Sequence, residues 1–236
     1  MNKKIIVIFL IISQSLLSCK DPKALKGLIQ PAIIVIRTMS ISHSIAGLNT
    51  NKQAIAGDKK LELKEYKNAI LDYDEALKLN PKLTDVYSSR GIAKSKLGDD
   101  KAAIADFDLA ISLDPKNADY YHNRGVCKYN LKDSQGAIAD FDRAIEINPK
   151  DANSYNSRGS NKYELEDYRG AISDYDRAIR IEPTVGNYYF NRGNTKSKLD
   201  DKNGAIADWK KAAALYQEQK QTDRYQDAMQ SIEDLK

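Results

Sequence analysis

The stretch ADYYHNRGVCKYNLKDSQGAIADFDRAIEINPKD, residues 118–151, decides the fold, because its pattern recurs along the chain every 34 residues. The clearest part of the pattern is a tyrosine that lies three residues before the arginine of an Arg-Gly pair. The four tyrosines of this signature are Tyr87, Tyr121, Tyr155 and Tyr189. Such regular spacing indicates an array of similar structural units.

Other positions of the pattern keep the same type of residue in all five units. An Ala-Ile pair begins at Ala69, Ala103, Ala137, Ala171 and Ala205. An aromatic residue follows at Tyr73, Phe107, Phe141, Tyr175 and Trp209, and a second alanine at Ala76, Ala110, Ala144, Ala178 and Ala212. Proline closes four units, at Pro81, Pro115, Pro149 and Pro183.

The sequence pattern of each unit predicts two helices, called helix A and helix B in chain order. In the third unit helix A covers residues 118–131, a turn covers 132–134, and helix B covers 135–147. Pro149 ends helix B, because proline has no N–H to donate to the helix. Gly125 and Ala137 are small enough to let the two helices of the unit approach closely. Tyr121 and Phe141 fill the wider part of the seam, which is the contact between these two helices. One such pair cannot bury its own apolar face, so the units must stack.

The pattern resembles that of the tetratricopeptide repeat family over residues 50–219. The resemblance implies an all-α solenoid of five helix-turn-helix repeats, a right-handed superhelix whose A helices line a concave groove. The repeats are 50–83, 84–117, 118–151, 152–185 and 186–219, followed by a capping helix within 220–236. Gln217 replaces the closing proline of the fifth repeat, so helix B is expected to run on there. Thr222 or Asp223 is the expected N-cap of the capping helix.

Two charged columns accompany the pattern. Arginine precedes the helix-A glycine, and aspartate precedes the helix-B aromatic residue. These positions suggest a structural ladder in which each aspartate reaches the arginine of the following repeat. The predicted pairs are Asp72–Arg90, Asp106–Arg124, Asp140–Arg158 and Asp174–Arg192. The alternatives are pairing within one repeat and solvated surface charge.

Catalytic chemistry is not indicated. The chain has no Gly-rich phosphate loop and no Gly-x-Ser-x-Gly motif. Asp-x-Asp pairs recur with the repeat, but residues two apart on a helix point about 200° apart, which does not suit a shared metal. Cys127 lies in a small-residue column and is expected to be buried. We therefore expect no enzyme activity, no cofactor and no metal site.

The charge distribution argues against a nucleic-acid partner. The net charge of +4 comes from the first 49 residues, which hold six basic residues and one acidic residue. Residues 50–236 hold 31 basic and 32 acidic side chains. The repeat region thus lacks the basic surface that binds phosphate backbones.

The N-terminal residues are typical of an export signal: Lys3 and Lys4 precede an apolar run from Ile5 to Ile12. The box Leu16-Leu17-Ser18-Cys19 resembles the cleavage site of bacterial lipoprotein signals. The resemblance implies a signal peptide over 1–18 and lipidation of Cys19, with acyl chains such as palmitate. It also implies a membrane tether over 19–49 and a lipid-anchored place in the bacterial cell envelope, at the outer membrane. An ordinary secretory signal and an uncleaved anchor are the alternatives, and within 20–49 a partner-binding strand is the alternative to a plain tether.

Recognition is expected on the exposed face of the A helices. Asparagine amides can pair with a peptide backbone, and tyrosine rings supply flat apolar contact with a polar tip. The predicted groove residues are His122, Asn123, Tyr129, Asn156, Tyr163, Phe190, Asn191 and Asn194. This composition favours a scaffold that binds a protein or peptide partner whose identity the residues do not specify. One alternative is a solvated polar face. The other is a ligand-binding envelope lipoprotein for glycans or peptides, and a joint platform of Tyr129, Tyr163 and Phe190 would favour this second alternative.

Overall fold

The computed structural model describes residues 47–235, and these residues form eleven α-helices and no strand. Helix α1 is described over 47–62. The others are α2 (Tyr66–Leu79), α3 (Thr84–Lys96), α4 (Asp100–Leu113), α5 (Ala118–Asn130), α6 (Ser134–Ile147), α7 (Ala152–Glu164), α8 (Tyr168–Ile181), α9 (Gly186–Lys198), α10 (Lys202–Glu218) and α11 (Thr222–Asp234). The predicted signal peptide, the lipidation site Cys19 and most of the tether lie outside the described residues.

The helices form a solenoid, which confirms the predicted fold class. Each helix packs mainly against the helices before and after it in the chain. Odd-numbered helices α1 to α9 are the A helices, and even-numbered helices α2 to α10 are the B helices. Helix α11 packs against α10 and follows the last pair.

Small and aromatic residues build the seam inside each helix pair. The Phe141 ring of α6 lies against Gly125 of α5, where an added Cβ would come within 2.8 Å of Cε1. Ala137 and Ala144 of α6 are fully buried, and Tyr121 packs with Ala144. The close approach and the aromatic filling therefore agree with the sequence expectation.

The turn from helix A to helix B uses the left-handed backbone region. Gly98 has φ 84° there, and the matching residues of the other repeats include Lys132 at 66° and Glu166 at 61°. An aspartate follows each of these three residues and caps helix B. Asp133 Oδ1, for example, accepts a hydrogen bond from the Gly136 N–H at 3.0 Å. This capping aspartate column was not singled out from the sequence.

The C-terminal end shows one agreement and one correction. Helix α10 has 17 residues and runs to Glu218, in line with the missing proline at position 217. Neither Thr222 nor Asp223 caps α11. The N-cap is Gln221, whose side chain makes no capping hydrogen bond. Ala228 and Ile232 of α11 are buried on the last repeat, so this helix covers apolar surface.

Candidate functional site

A pocket of about 210 Å³ lies on the A-helix side of the third, fourth and fifth helix pairs. Helix α5 contributes Tyr129, and the end of α7 contributes Ser160, Tyr163 and Glu164. Asn191 and Asn194 of α9, together with Tyr175 of α8, complete the lining. Four of the eight predicted groove residues therefore share one pocket: Tyr129, Tyr163, Asn191 and Asn194. Ser160, Glu164 and Tyr175 were missed as site residues.

The wall of this pocket is held by hydrogen bonds between helix A and helix B. The Tyr175 hydroxyl donates to Ser160 Oγ at 3.2 Å. One repeat later, Trp209 Nε1–H donates to Asn194 Oδ1 at 2.8 Å. Because Trp offers only a donor, this bond fixes the orientation of the Asn194 amide and leaves its Nδ2 donors for the pocket.

A second amide completes a donor and acceptor pair. Asn191 Nδ2 donates to Asn156 Oδ1 at 3.0 Å, a bond between the fifth and fourth repeats. The side-chain oxygen Oδ1 of Asn191 thereby stays available as an acceptor. The spacing of three residues places Asn191 and Asn194 on one face of α9. The pocket thus offers an amide donor beside an amide acceptor.

The aromatic side of the pocket is formed by Tyr129 and Tyr163. Burial, followed by the negative charge of Glu164, raises the pKa of Tyr129. The Tyr163 ring meets the Tyr168 ring edge-on, with 5.5 Å between centroids. Lys132 Nζ lies 5.7 Å from the centroid of Tyr129. Tyr129 and Tyr163 therefore offer ring faces and hydroxyl groups on this side of the pocket.

A second pocket of about 220 Å³ adjoins the first through Asn191. It also includes Phe190, Tyr216, Asn187, Arg224 and Asp227. Asn187 Oδ1 accepts hydrogen bonds from the Tyr216 hydroxyl, at 2.7 Å, and from Arg224 Nη1. Phe190 packs with core residues of α10 and α11, including Tyr216. It therefore lines the second pocket and does not join the tyrosines of the first.

His122 and Asn123 lie apart from both pockets. His122 Nδ1 is 2.9 Å from Ser154 Oγ, and Ser154 donates its own proton to Asp151. Because that proton is used, Nδ1 of His122 carries the hydrogen of the first bond. Ser154 has no exposed surface, so this Asp-Ser-His contact is a buried link between repeats and does not resemble a catalytic triad. Asn123 is partly exposed on α5.

The arginine column forms a ladder, but the predicted partners are wrong. Arg124 Nε and Nη2 bind the two oxygens of Asp140, at 2.9 and 2.6 Å, within the same repeat. Its Nη1 binds Asp108, at 2.5 Å, in the preceding repeat. The same arrangement holds at Arg90, with Asp106 and Asp74, at Arg158, with Asp174 and Asp142, and at Arg192, with Asp208 and Asp176.

The predicted partners are wrong because each B helix is rotated so that its two aspartates face different repeats. The aspartate before the helix-B aromatic residue faces helix A of its own repeat, where a lysine joins the arginine. The aspartate after the aromatic residue points forward to the next repeat. Asp140, for instance, also binds Lys128 at 2.8 Å. Asp72, predicted to bind Arg90, instead pairs with Lys60 at 2.7 Å.

Other candidate chemistry is accounted for by packing. The Asp-x-Asp carboxylates of the ladder are engaged by arginine and lysine, and residues 47–235 contain no group of His, Cys, Asp and Glu suited to a metal. Cys127 is buried, and burial raises the pKa of its thiol to about 12. Within the same part of the chain, no helix combines the length and apolar character needed to cross a bilayer.

Family models agree with the repeat spacing. Models described as tetratricopeptide repeat match residues 84–117, 118–151 and 152–185, and a model described as TPR repeat matches 57–98. No curated protein matches the sequence significantly.

Many solved structures match the fold. The crystal structure of MamA is 25% identical and has a TM-score of 0.64, covering 70% of this chain and 96% of its own. YrrB, described as a TPR protein with an unusual peptide-binding site, is 20% identical with a TM-score of 0.57; 69% of this chain and 84% of that chain are covered. TTC0263, a thermophilic TPR protein of Thermus thermophilus, is 18% identical with a TM-score of 0.64, covering 76% of this chain and 98% of its own.

Proposed function

Because the chain is a tetratricopeptide-repeat protein, we propose that it is a non-enzymatic scaffold that binds a segment of a partner protein on its A-helix side. The observation that carries this proposal is the first pocket, to which three consecutive repeats contribute aromatic rings and amide groups. The Asn194 Nδ2 donors and the Asn191 carbonyl can pair with the C=O and N–H groups of a polypeptide backbone. Backbone pairing of this kind supports binding that tolerates variation in sequence.

The alternative is a ligand-binding lipoprotein for glycans or peptides, which one platform of Tyr129, Tyr163 and Phe190 would favour. Tyr129 and Tyr163 share a pocket, whereas Phe190 lines the neighbouring pocket and packs into the end of the solenoid. The polypeptide proposal needs only the first pocket and its amide pair, so the geometry favours it.

The binding surface is tested by selecting short random displayed peptides on the full chain, immobilised through a C-terminal tag. Peptides that bind the pocket should lose about tenfold in affinity on Tyr163→Ala, because the ring supplies a large part of the contact. Arg143→Ala is the matched control, since Arg143 lies on a B helix, away from the pocket lining, where it pairs with the exposed Glu146 and contacts Tyr121. Selected peptides that bind Tyr163→Ala as well as the unchanged chain would contradict the proposal, as would failure to select any.

We propose further that the scaffold is a lipoprotein, tethered through residues 19–49 to a bacterial envelope membrane, at the outer membrane. The box that ends at Cys19 supports this proposal. Cys19→Ala should move the protein from the membrane fraction to the soluble fraction and abolish incorporation of labelled palmitate. Cys127→Ala should change neither, because Cys127 is buried in the repeats. Unchanged fractionation of Cys19→Ala would exclude the lipid anchor.

A further inference from the structure

Glu164 is the one carboxylate that lines the first pocket, and no ion pair among residues 47–235 includes it. Its position at the end of α7, directly after Tyr163, places negative charge at the edge of the pocket. The pocket lining includes no lysine, arginine or histidine. A bound group that supplies positive charge would therefore complement this site.

The basic side chains that belong to the ladder on the neighbouring helices are committed to aspartates. Lys128 binds Asp140 at 2.8 Å, and Lys162 binds Asp174 at 2.8 Å. Arg158 is shared between Asp174 and Asp142. The ladder thus pairs its cations with the carboxylates of the B helices, and none of these cations pairs with Glu164, whose side chain is exposed.

Two further lysines lie near this region without lining the pocket. Lys132, in the turn after α5, approaches the Tyr129 ring. Lys198 takes the position of Glu164 one repeat later and is exposed. The contact of Lys132 shows that the Tyr129 ring accepts a cation at the distance typical of cation–π pairs, within about 6 Å.

We propose that the first pocket takes a basic side chain, lysine or arginine, of the bound polypeptide. Its cation lies against the rings of Tyr129 and Tyr163 and pairs with Glu164, while the adjoining backbone bonds to Asn191 and Asn194. This assignment rests on the proposed function, because it names the partner residue that the same surface selects. It also predicts that the surface discriminates against acidic segments, which would place like charge beside Glu164.

The test repeats the peptide selection on the full chain beside its Glu164→Gln variant, which keeps the shape of the side chain and removes its charge. Lysine or arginine should be enriched among peptides selected on the unchanged chain, and clearly less enriched among those selected on Glu164→Gln, where only the rings still contact the cation. In a synthetic copy of a selected peptide, replacement of the basic residue by norleucine should weaken binding to the unchanged chain about tenfold. The same replacement should weaken binding to Glu164→Gln clearly less, because the charge partner is already absent and only the ring contacts of the cation remain to be lost.

The outcomes separate the two proposals. Peptides that lose binding on Tyr163→Ala but show no basic preference would leave the scaffold proposal standing and overturn the basic-residue assignment. A basic preference that is equally strong in Glu164→Gln would also overturn it, since the cation would then not pair with Glu164. Failure to select any peptide would overturn the proposed function and this assignment together.

Discussion

At the residue scale, the helix-B aromatic and its neighbour on helix A change together. Where the aromatic residue has a polar tip, the residue 15 positions earlier is polar, as in Tyr175 with Ser160 and Trp209 with Asn194. Tyr73 follows the same rule with Asp58, at 2.8 Å. Phe107 and Phe141 instead have Ile92 and Val126 at that position. Each buried polar tip therefore has a partner, as low-dielectric surroundings require.

This pairing predicts a compensating double substitution. Ser160→Val removes the acceptor of the Tyr175 hydroxyl and should destabilise the fold by about 1 kcal/mol. Adding Tyr175→Phe reproduces the combination found at Val126 and Phe141, and it should recover most of that loss. Denaturant unfolding of the two single variants and the double variant measures the coupling. Additive losses in the double variant would show that the hydroxyl contact contributes nothing.

A second residue-scale prediction concerns pH. Burial lowers the pKa of His122, and this effect exceeds the opposing influence of Asp151 and Asp119. The unfolded chain therefore takes up this proton at a higher pH than the folded chain. Stability from neutral His122 should be complete above the unfolded pKa of about 6.5, and should be lost as pH falls below it, by up to about 1.4 kcal/mol per pH unit.

The measurement compares unfolding free energies at about pH 7.5 and about pH 5, on either side of the ordinary histidine pKa. It is made with and without His122→Gln, both in a His43→Gln background. The variant should show a shallower decline. Nuclear magnetic resonance titration of the remaining histidine should give a pKa below the ordinary value. A pKa at or above that value would contradict the prediction.

At the scale of elements, the ladder determines how each helix pair joins the next. The Asp140 side chain is 5% exposed and binds both Arg124 and Lys128, whereas the Asp108 side chain is 54% exposed and, among residues 47–235, pairs only with Arg124. Desolvated charges are costly to leave unpaired, whereas exposed pairs contribute little. The two aspartates bound to one arginine should therefore differ greatly in their effect on stability.

Asp140→Asn should destabilise the protein by about 3 kcal/mol, because it leaves Lys128 without a carboxylate and Arg124 with only the exposed Asp108. Asp108→Asn, the matched control on the same guanidinium, should cost less than about 1 kcal/mol. Thermal or denaturant unfolding of the two variants provides the comparison. Equal losses would show that exposure does not separate the two contacts.

At the scale of the whole molecule, the solenoid is an array in which each helix contacts mainly its neighbours. Stability in such an array is a sum of local terms and interfaces between neighbours. Helix α11 covers the end of the array, where Trp209 and Tyr216 are 4% and 3% exposed. Its loss should therefore act locally.

Ending the chain at Gln221 should raise amide hydrogen exchange in α9 and α10 and leave exchange in α3 to α6 nearly unchanged. The cause is exposure of the apolar surface that Ala228 and Ile232 cover. Met229→Gln, a substitution at an exposed position of α11, is the control and should preserve protection. Faster exchange along every helix would instead show that the array unfolds as one unit.

The sequence by itself determined the helix pairs, their 34-residue period and the residues of the seam. Those features depend on local spacing: small residues and an aromatic residue at fixed positions on adjacent helices can meet in only one way. The buried state of Cys127 and the extension of the last B helix followed from the same columns.

Only the tertiary structure decided which aspartate reaches the next arginine and which groove residues meet. Asp108 and Asp140 look alike in the sequence, but the rotation of each B helix turns one forward and the other inward. In the same way Tyr129, Tyr163, Asn191 and Asn194 share a pocket, whereas His122 is engaged by Ser154 and Phe190 by the end of the solenoid. These contacts depend on the angle and offset between successive repeats, which arise from the packing of whole helices and are not encoded in the spacing of any one repeat.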